Sequence, residues 1–99
     1  MQYISREDGM SLYVSITGRL DISIAATLED VLKSQLDGIT DLILNLSDLE
    51  YISSAGLRVL ISAHKVMKNK GGSMTVKGAK GSVRNILVLT GFIDILDID

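Results

Sequence analysis

The chain has 99 residues, of which 46% are hydrophobic, and its formal net charge is −2. This length fits one domain, and a weakly acidic chain lacks the basic patch that nucleic-acid binding usually requires. Cysteine is absent and histidine occurs once, which excludes disulfides, thiolate metal sites, cysteine catalysis and histidine-rich metal clusters. We therefore expect one domain over residues 1–99 that binds no nucleic acid, metal or cofactor.

No stretch of the chain approaches the roughly 18 uncharged apolar residues that a membrane span needs. The N-terminal segment MQYISR lacks the basic-then-apolar order of a signal peptide. The sequence therefore predicts a cytoplasmic protein that does not insert into a membrane.

Strand and helix patterns alternate along the chain. Period-two alternation and β-forming residues indicate strands, apolar residues at helical spacing indicate helices, and glycines end most of these elements. The predicted elements, in chain order, are strands at 2–7 and 11–17 with a hairpin turn at 8–9 between them, a helix at 21–37, a strand at 41–46, a helix at 54–70, a strand at 74–77, a helix at 83–90, and a strand or irregular tail at 92–98.

Single residues refine these elements. Asp21 or Ser23 can cap the first helix, and Ser82 can cap the third. Residues 41–46 are almost all apolar, which favours a strand buried on both faces. The second helix should expose the side that carries Arg58. Its buried stripe should consist of Leu57, Leu60, Ile61, Ala63 and Met67.

The element order β-β-α-β-α-β-α-β indicates a single α/β domain in which about three helices pack on a mixed β-sheet. Alternation of helices and strands favours parallel pairing after the first hairpin, with right-handed crossovers. Such sheets meet ligands and partners where strands end and helices begin.

Residues 44–57 carry the most information about function, because a buried strand runs there through a short turn into a helix. A helix N-terminus offers free N–H groups and favours an anion. Ser53 and Ser54 lie at this turn, and either serine can be simply the helix cap. Alternatively, one of them is a phosphorylation site, since a phosphoserine carries about −1.5 to −2 charges and would change the surface that a partner contacts.

Four segments of the chain resemble the STAS domain family, in particular the bacterial anti-sigma factor antagonists. SDLEYISSAGLRVL at residues 47–60 is similar to the family signature. TGRLD at 17–21 is similar to the turn after its second strand. KGG at 70–72 and LTGF at 89–92 match the ends of its second and third helices. The four matches occur in register along nearly the whole chain.

The resemblance implies a switched binding protein. In such proteins the unphosphorylated antagonist binds an anti-sigma factor that is itself a serine kinase, and a sigma factor is released. Phosphorylation of the antagonist ends this binding, and a PP2C-type phosphatase resets it. The family acceptor is usually the serine of an Asp-Ser-Ser/Thr-Gly turn, which falls on Ser54 here. Ser53 replaces the aspartate of that turn and Ala55 follows the acceptor, so Ser53 is the second choice.

The resemblance also places the turn at Asp21 beside the turn at Ser54. The expected partner surface therefore combines the starts of the first two helices, although Asp21 can also act only as a cap. Asp48 and Glu50 precede the acceptor and are interpreted as a solvated loop. The residues expected to contact the partner are Asp21, Ser53, Ser54, Ala55, Gly56, Leu57 and Arg58.

Catalysis is not expected. Ser54 and His64 are the one tempting nucleophile and base, but they lie ten residues apart on one predicted helix, which is about 15 Å. A nucleophile and its base need a separation of roughly 3 Å. The serine-hydrolase elbow and the P-loop pattern are also absent.

Two other functions remain open with the same fold. Small STAS proteins also serve as accessory subunits of bacterial lipid-transport ABC systems, where the domain docks on an ATPase and phosphorylation is not needed. A part in a larger sensory signalling complex is the other alternative, although such proteins usually carry a further domain.

Overall fold

The computed structural model describes residues 3–7, 10–94 and 97–98, so the predicted turn at 8–9 lies outside the described residues. Seven strands, three helices and one turn of 3-10 helix follow one another in this part of the chain. In chain order they are β1 (Tyr3–Glu7), β2 (Ser11–Ser15), β3 (Gly18–Leu20), α1 (Ile22–Gln35), β4 (Asp41–Asn45), β5 (Leu49–Ile52), α2 (Ser54–Asn69), β6 (Ser73–Lys77), α3 (Gly81–Leu89), the 3-10 turn (Phe92–Asp94) and β7 (Asp97–Ile98).

The main sheet has five strands in the order β1-β2-β4-β6-β7. β1 pairs with β2 in antiparallel fashion, and every other neighbouring pair in this sheet is parallel. Each parallel connection contains one of the three helices, as parallel pairing requires. The predicted α/β domain with a mixed sheet and three helices is therefore confirmed.

The strands β3 and β5 were absent from the prediction. They form a separate two-stranded parallel sheet, and each follows closely on a strand of the main sheet. The connecting backbone remains paired, because Ile16 N–H donates to the Asn45 carbonyl and Gly18 N–H donates to the Asp48 carbonyl, both at 3.1 Å. Strands this short carry too little alternation to be recognised from sequence.

The prediction that residues 41–46 are buried on both faces was wrong. Leu42 and Leu44 of β4 are fully buried, whereas Asp41 is exposed and Ile43 is half-buried. The same alternation continues into β2 and β6, and the buried residues of the sheet and of all three helices form one core. The helices therefore cover one face of the sheet, and the apolar run reflects Ile43 on the less covered face.

The predicted helix boundaries hold to within two or three residues. Asp21 caps α1 through its side chain. Ser82, the predicted cap of α3, instead lies inside that helix and donates from its hydroxyl to the Glu50 carbonyl at 2.9 Å. The N-cap of α3 is Lys80, which makes no side-chain cap hydrogen bond. Ser82 thus attaches α3 to β5 rather than ending the helix.

The buried stripe of α2 differs from the predicted one at three positions. Val59 is buried and Ile61 is half-buried, whereas the other four predicted residues of the stripe are buried. Gly56 is also buried, and α2 approaches β3 and β5 most closely there. A Cβ atom at Gly56 would lie 2.8 Å from Leu20 Cγ and 3.0 Å from Ile52 Cγ1. The helix therefore requires glycine at this position for packing.

Replacing Gly56 with alanine should lower the free energy of unfolding. Overpacking of a filled core costs about 1–3 kcal/mol, and the better helix propensity of alanine returns about 1 kcal/mol or less. Urea denaturation measures the difference. Ser62→Ala, at an exposed position of the same helix, is the control and should stay within about 0.5 kcal/mol of wild type. A Gly56→Ala protein as stable as wild type would contradict this packing account.

Candidate functional site

The candidate site lies where β3 runs into α1 and β5 runs into α2. Leu20 and Ile52 are partners in the parallel pair, and Ser53 N–H donates to the Leu20 carbonyl at 2.9 Å. The residues that follow, Asp21 and Ser54, therefore start their helices side by side at one end of the molecule. This is the arrangement that the family resemblance implies.

Ser53 is the N-cap of α2 and is 9% exposed. Its hydroxyl donates to the Leu20 carbonyl at 2.9 Å and accepts from the Gly56 amide at 3.1 Å. The donor and an acceptor of this hydroxyl are thus both used inside the fold. The Ser53 side chain holds the turn together and is not presented to solvent.

Ser54 is the first residue of α2 and is exposed. No hydrogen bond to its hydroxyl is formed by any residue in the described part of the chain. The amides of the first helical turn have no intrahelical acceptor, and the cap takes up the one at Gly56. The Ser54 hydroxyl therefore projects from the positive end of a helix with its hydrogen-bonding capacity free.

The remaining residues of the predicted partner surface divide into exposed and buried ones. Arg58 is exposed and lies one helical turn after Ser54, and Ala55 is half-buried. Gly56 and Leu57 are buried and pack into the core. Among the residues predicted on α2, Ser54 and Arg58 are thus the ones that a partner can reach directly.

Asp21 caps α1 and is half-buried. Its carboxylate accepts from the Ile24 amide and from the Ser23 hydroxyl, each at 3.0 Å. These hydrogen bonds, that from Ile24 first, lower the pKa of Asp21 below its ordinary value, with a smaller contribution from the positive charge of Arg19. Asp21 therefore places a fixed negative charge beside the Ser54 turn at neutral pH.

Three exposed side chains at this end were missed by sequence analysis. The Arg19 guanidinium lies over the Tyr51 ring, 4.3 Å from its centroid. Tyr51 is 36% exposed and Ile22, directly after the cap of α1, is 74% exposed. An isoleucine directly after the predicted cap, outside the apolar stripe of α1 that begins at Ile24, was the available signal.

Other features of the described residues do not converge on this site. His64 is half-buried and lies ten residues after Ser54 within α2, which keeps the two side chains about 15 Å apart along the helix. A groove of about 590 Å³ lies between α1 and α2. Both apolar and polar side chains line it. The groove is lined by none of the candidate site residues.

The described residues contain neither a metal-binding cluster nor a membrane-spanning helix. In the described part of the chain, no group of three or more His, Asp or Glu side chains is placed to hold a metal ion. Across the same residues, no helix has the length and apolar character that crossing a membrane demands.

The two neighbouring serines should differ sharply when each is replaced with alanine. Ser53→Ala removes the helix cap and a partner of the buried Leu20 carbonyl, which should lower the free energy of unfolding by about 1–2 kcal/mol. Ser54→Ala removes an exposed hydroxyl and should change that free energy by less than about 0.5 kcal/mol. Urea denaturation of both variants provides the measurement, and equal losses of stability would contradict the assignment of Ser53 as the cap.

The capping role of Asp21 predicts a dependence of stability on pH. Because its folded-state pKa lies below the ordinary value of 3.8, the stabilisation is fully present above that value and is lost as the pH falls through the folded-state pKa. Asp21→Asn retains a capping side chain but does not titrate. The stability difference between wild type and Asp21→Asn should therefore shrink or reverse on acidification, measured by thermal unfolding at a series of pH values. A difference that is constant down to about pH 2 would contradict the role.

Comparisons with known proteins identify the family of this chain. The profile of the STAS domain family matches residues 4–99. The anti-sigma-B factor antagonist of Bacillus subtilis (strain 168) is 29% identical over 93 residues, which cover 94% of this chain and 85% of that protein. BtrV of Bordetella bronchiseptica is 35% identical over 92 residues, which cover 92% of this chain and 78% of BtrV.

A solved structure shares the fold over almost the whole chain. The unphosphorylated form of the anti-sigma factor antagonist SpoIIAA superposes with a TM-score of 0.87 at 13% identity, covering 98% of this chain and 86% of SpoIIAA. The phosphorylated form of SpoIIAA, a Bacillus cell fate determinant, gives a TM-score of 0.79 at 12% identity, covering 98% of this chain and 89% of that one. At such identities the likeness concerns the fold. With the profile match over residues 4–99, it shows that the chain belongs to the STAS domain family.

Proposed function

We propose that this chain is an anti-sigma factor antagonist controlled by phosphorylation of Ser54. When Ser54 is unphosphorylated, the chain binds an anti-sigma factor serine kinase in the cytoplasm, and the sigma factor held by that kinase is released. Phosphorylation of Ser54 by the kinase ends the binding, and a PP2C-type phosphatase restores it. The observation that carries the proposal is the Ser54 hydroxyl at the start of α2, which is exposed and has no hydrogen-bond partner among the described residues.

The choice of Ser54 over Ser53 rests on accessibility. A kinase must bring a phosphoryl group to the serine hydroxyl, and the Ser54 hydroxyl is exposed. The Ser53 hydroxyl is buried and bonded on both sides. Phosphorylating Ser53 would remove the cap of α2 and force a charge of about −1.5 to −2 into the turn.

The fold can hold a phosphate on Ser54 without unfolding. The positive end of a helix favours an anion, and Ser53 continues to cap α2 when Ser54 is modified, because the Ser53 hydroxyl bonds to Leu20 and Gly56 and not to Ser54. The effect of the phosphate is then confined to the surface. It adds negative charge beside Asp21 and enlarges the residue that a partner must cover, so binding is weakened by charge repulsion and desolvation.

The proposed role is binding and not catalysis. The half-buried His64 is held far from Ser54 by the helix that carries both. The relative from Bacillus subtilis carries the name of an antagonist of the anti-sigma-B factor, which favours this role over that of a lipid-transport subunit. The kinase of the proposed switch supplies the chemistry, and this chain supplies the acceptor hydroxyl.

Charge variants at Ser54 test the switch. Ser54→Ala should bind the kinase and stay bound in the presence of ATP, because the acceptor is gone. Ser54→Asp should bind at least about tenfold more weakly, because a negative charge then occupies the contact. Isothermal titration calorimetry against the kinase gives both affinities.

The control for these variants is Ser62→Asp. It adds the same charge at an exposed position of α2, about 12 Å further along the helix, and should bind like wild type. Equal affinity of Ser54→Ala and Ser54→Asp would rule out the switch. If Ser54→Asp and Ser62→Asp weaken binding equally, the loss of affinity comes from net charge and not from a switch at Ser54.

A further inference from the structure

Three exposed side chains, Arg19, Ile22 and Tyr51, belong to the two strand-to-helix segments that meet at the Ser54 turn, and the capping and phosphorylation roles do not use them. Arg19 and Tyr51 are partners across the parallel pair of β3 and β5, and Ile22 begins α1 two residues after Leu20. We call these three side chains the Arg19 patch. Arginine and tyrosine are enriched where proteins bind each other, and Ile22 adds a large exposed aliphatic side chain.

The Arg19 guanidinium is already positioned for a contact. Stacking on Tyr51, at 4.3 Å from the ring centroid, restricts the side chain and leaves the edge of the guanidinium fork open. Within the described residues, no carboxylate oxygen lies within 4.0 Å of Arg19, and the ion pair found there joins Lys33 and Glu29. A stacked arginine with free N–H donors suits a bidentate contact with a carboxylate of another protein.

Ile22 supplies an apolar contact next to this cation. Its side chain is 74% exposed, so a polar residue at this position would cost the core nothing. One exposed isoleucine has no meaning by itself. Its position in the patch is informative because burying such a side chain in a partner contributes about 1.5–3 kcal/mol.

An interface of standard size around Ser54 is wide enough to include the Arg19 patch. A standard interface buries about 800 Å² on each partner, which corresponds to a disc with a radius of about 16 Å. The patch lies well inside that radius, because Leu20 is hydrogen-bonded to Ser53 at 2.9 Å and Arg19 and Ile22 are one and two residues from Leu20. The patch therefore lies within reach of a kinase that binds at the Ser54 hydroxyl.

We propose that the Arg19 patch is a specificity-determining part of the surface that binds the anti-sigma factor kinase, and that it docks on a carboxylate next to an apolar hollow of that kinase. The inference rests on the proposed function. It also gives the switch a direct physical cause, because the carboxylate that pairs with Arg19 lies close to the position of a phosphate on Ser54. Like charges brought together in this way repel each other.

Binding measurements on variants test the proposal. The probes are the anti-sigma factor serine kinases encoded in the same genome, each purified and loaded with a nonhydrolysable ATP analogue, and calorimetry gives the dissociation constant. Arg19→Ala should weaken binding about tenfold to a hundredfold. Arg19→Lys should weaken binding less than Arg19→Ala does, since lysine keeps the charge but lacks the planar fork. Ile22→Ala should weaken binding roughly tenfold.

The matched controls are Lys68→Ala and Val66→Ala, which remove an exposed cation and an exposed aliphatic side chain from the far end of α2. Both should bind within about twofold of wild type. Arg19→Ala should also show a smaller loss of affinity with added salt than wild type, because the charge pair that salt screens is gone.

The outcomes separate this inference from the proposed function. If wild type binds a kinase, loses that binding on Ser54 phosphorylation, and yet Arg19→Ala and Ile22→Ala bind within about twofold of wild type, the patch is not part of the interface. If Lys68→Ala weakens binding as much as Arg19→Ala, the effect is net charge and the proposal is also wrong. If no kinase binds unphosphorylated wild type, the proposed function fails and the inference fails with it.

Discussion

The two hydrogen bonds of the Ser53 hydroxyl are the constraint on which the candidate site depends. One joins the start of α2 to the Leu20 carbonyl, 33 residues earlier in the chain, and the other caps α2 at Gly56. Gly56 in turn lets the helix approach Leu20 and Ile52. Because Leu20 immediately precedes Asp21, this contact fixes the start of α1 relative to the start of α2. The surface formed by the two helix ends is therefore rigidly defined by buried atoms.

This arrangement divides two tasks between adjacent serines. Ser53 holds the turn and is inaccessible, whereas the Ser54 hydroxyl makes no hydrogen bond with the described residues and is accessible. A modification of Ser54 can then change the surface without disturbing the cap. Many binding switches work by ordering or melting a segment. The geometry here favours a switch in which the fold stays the same and the charge of a preformed surface changes.

Sequence reasoning succeeded where the signal is local. The apolar periods of α1 and α2 and the succession of the main strands along the chain depend on neighbouring residues, and Asp21 was one of two predicted caps of α1. It failed for β3 and β5, which are short and are held by pairing between distant segments. It also left open which of Ser53 and Ser54 caps α2, because the Leu20 carbonyl that holds the Ser53 hydroxyl is brought close only by tertiary structure. The Arg19–Tyr51 contact was missed for the same reason, because it requires the register of that pair.

The most direct test of the account is the position of phosphate on the protein purified from its own cells, determined by intact mass and peptide mapping across growth conditions. The account predicts a single phosphoryl group on Ser54 in part of the population and none on Ser53. Phosphate on Ser53 would contradict the division of roles between the two serines, because the cap would then be the modified group. Absence of phosphate from both serines under every growth condition would contradict the switch itself.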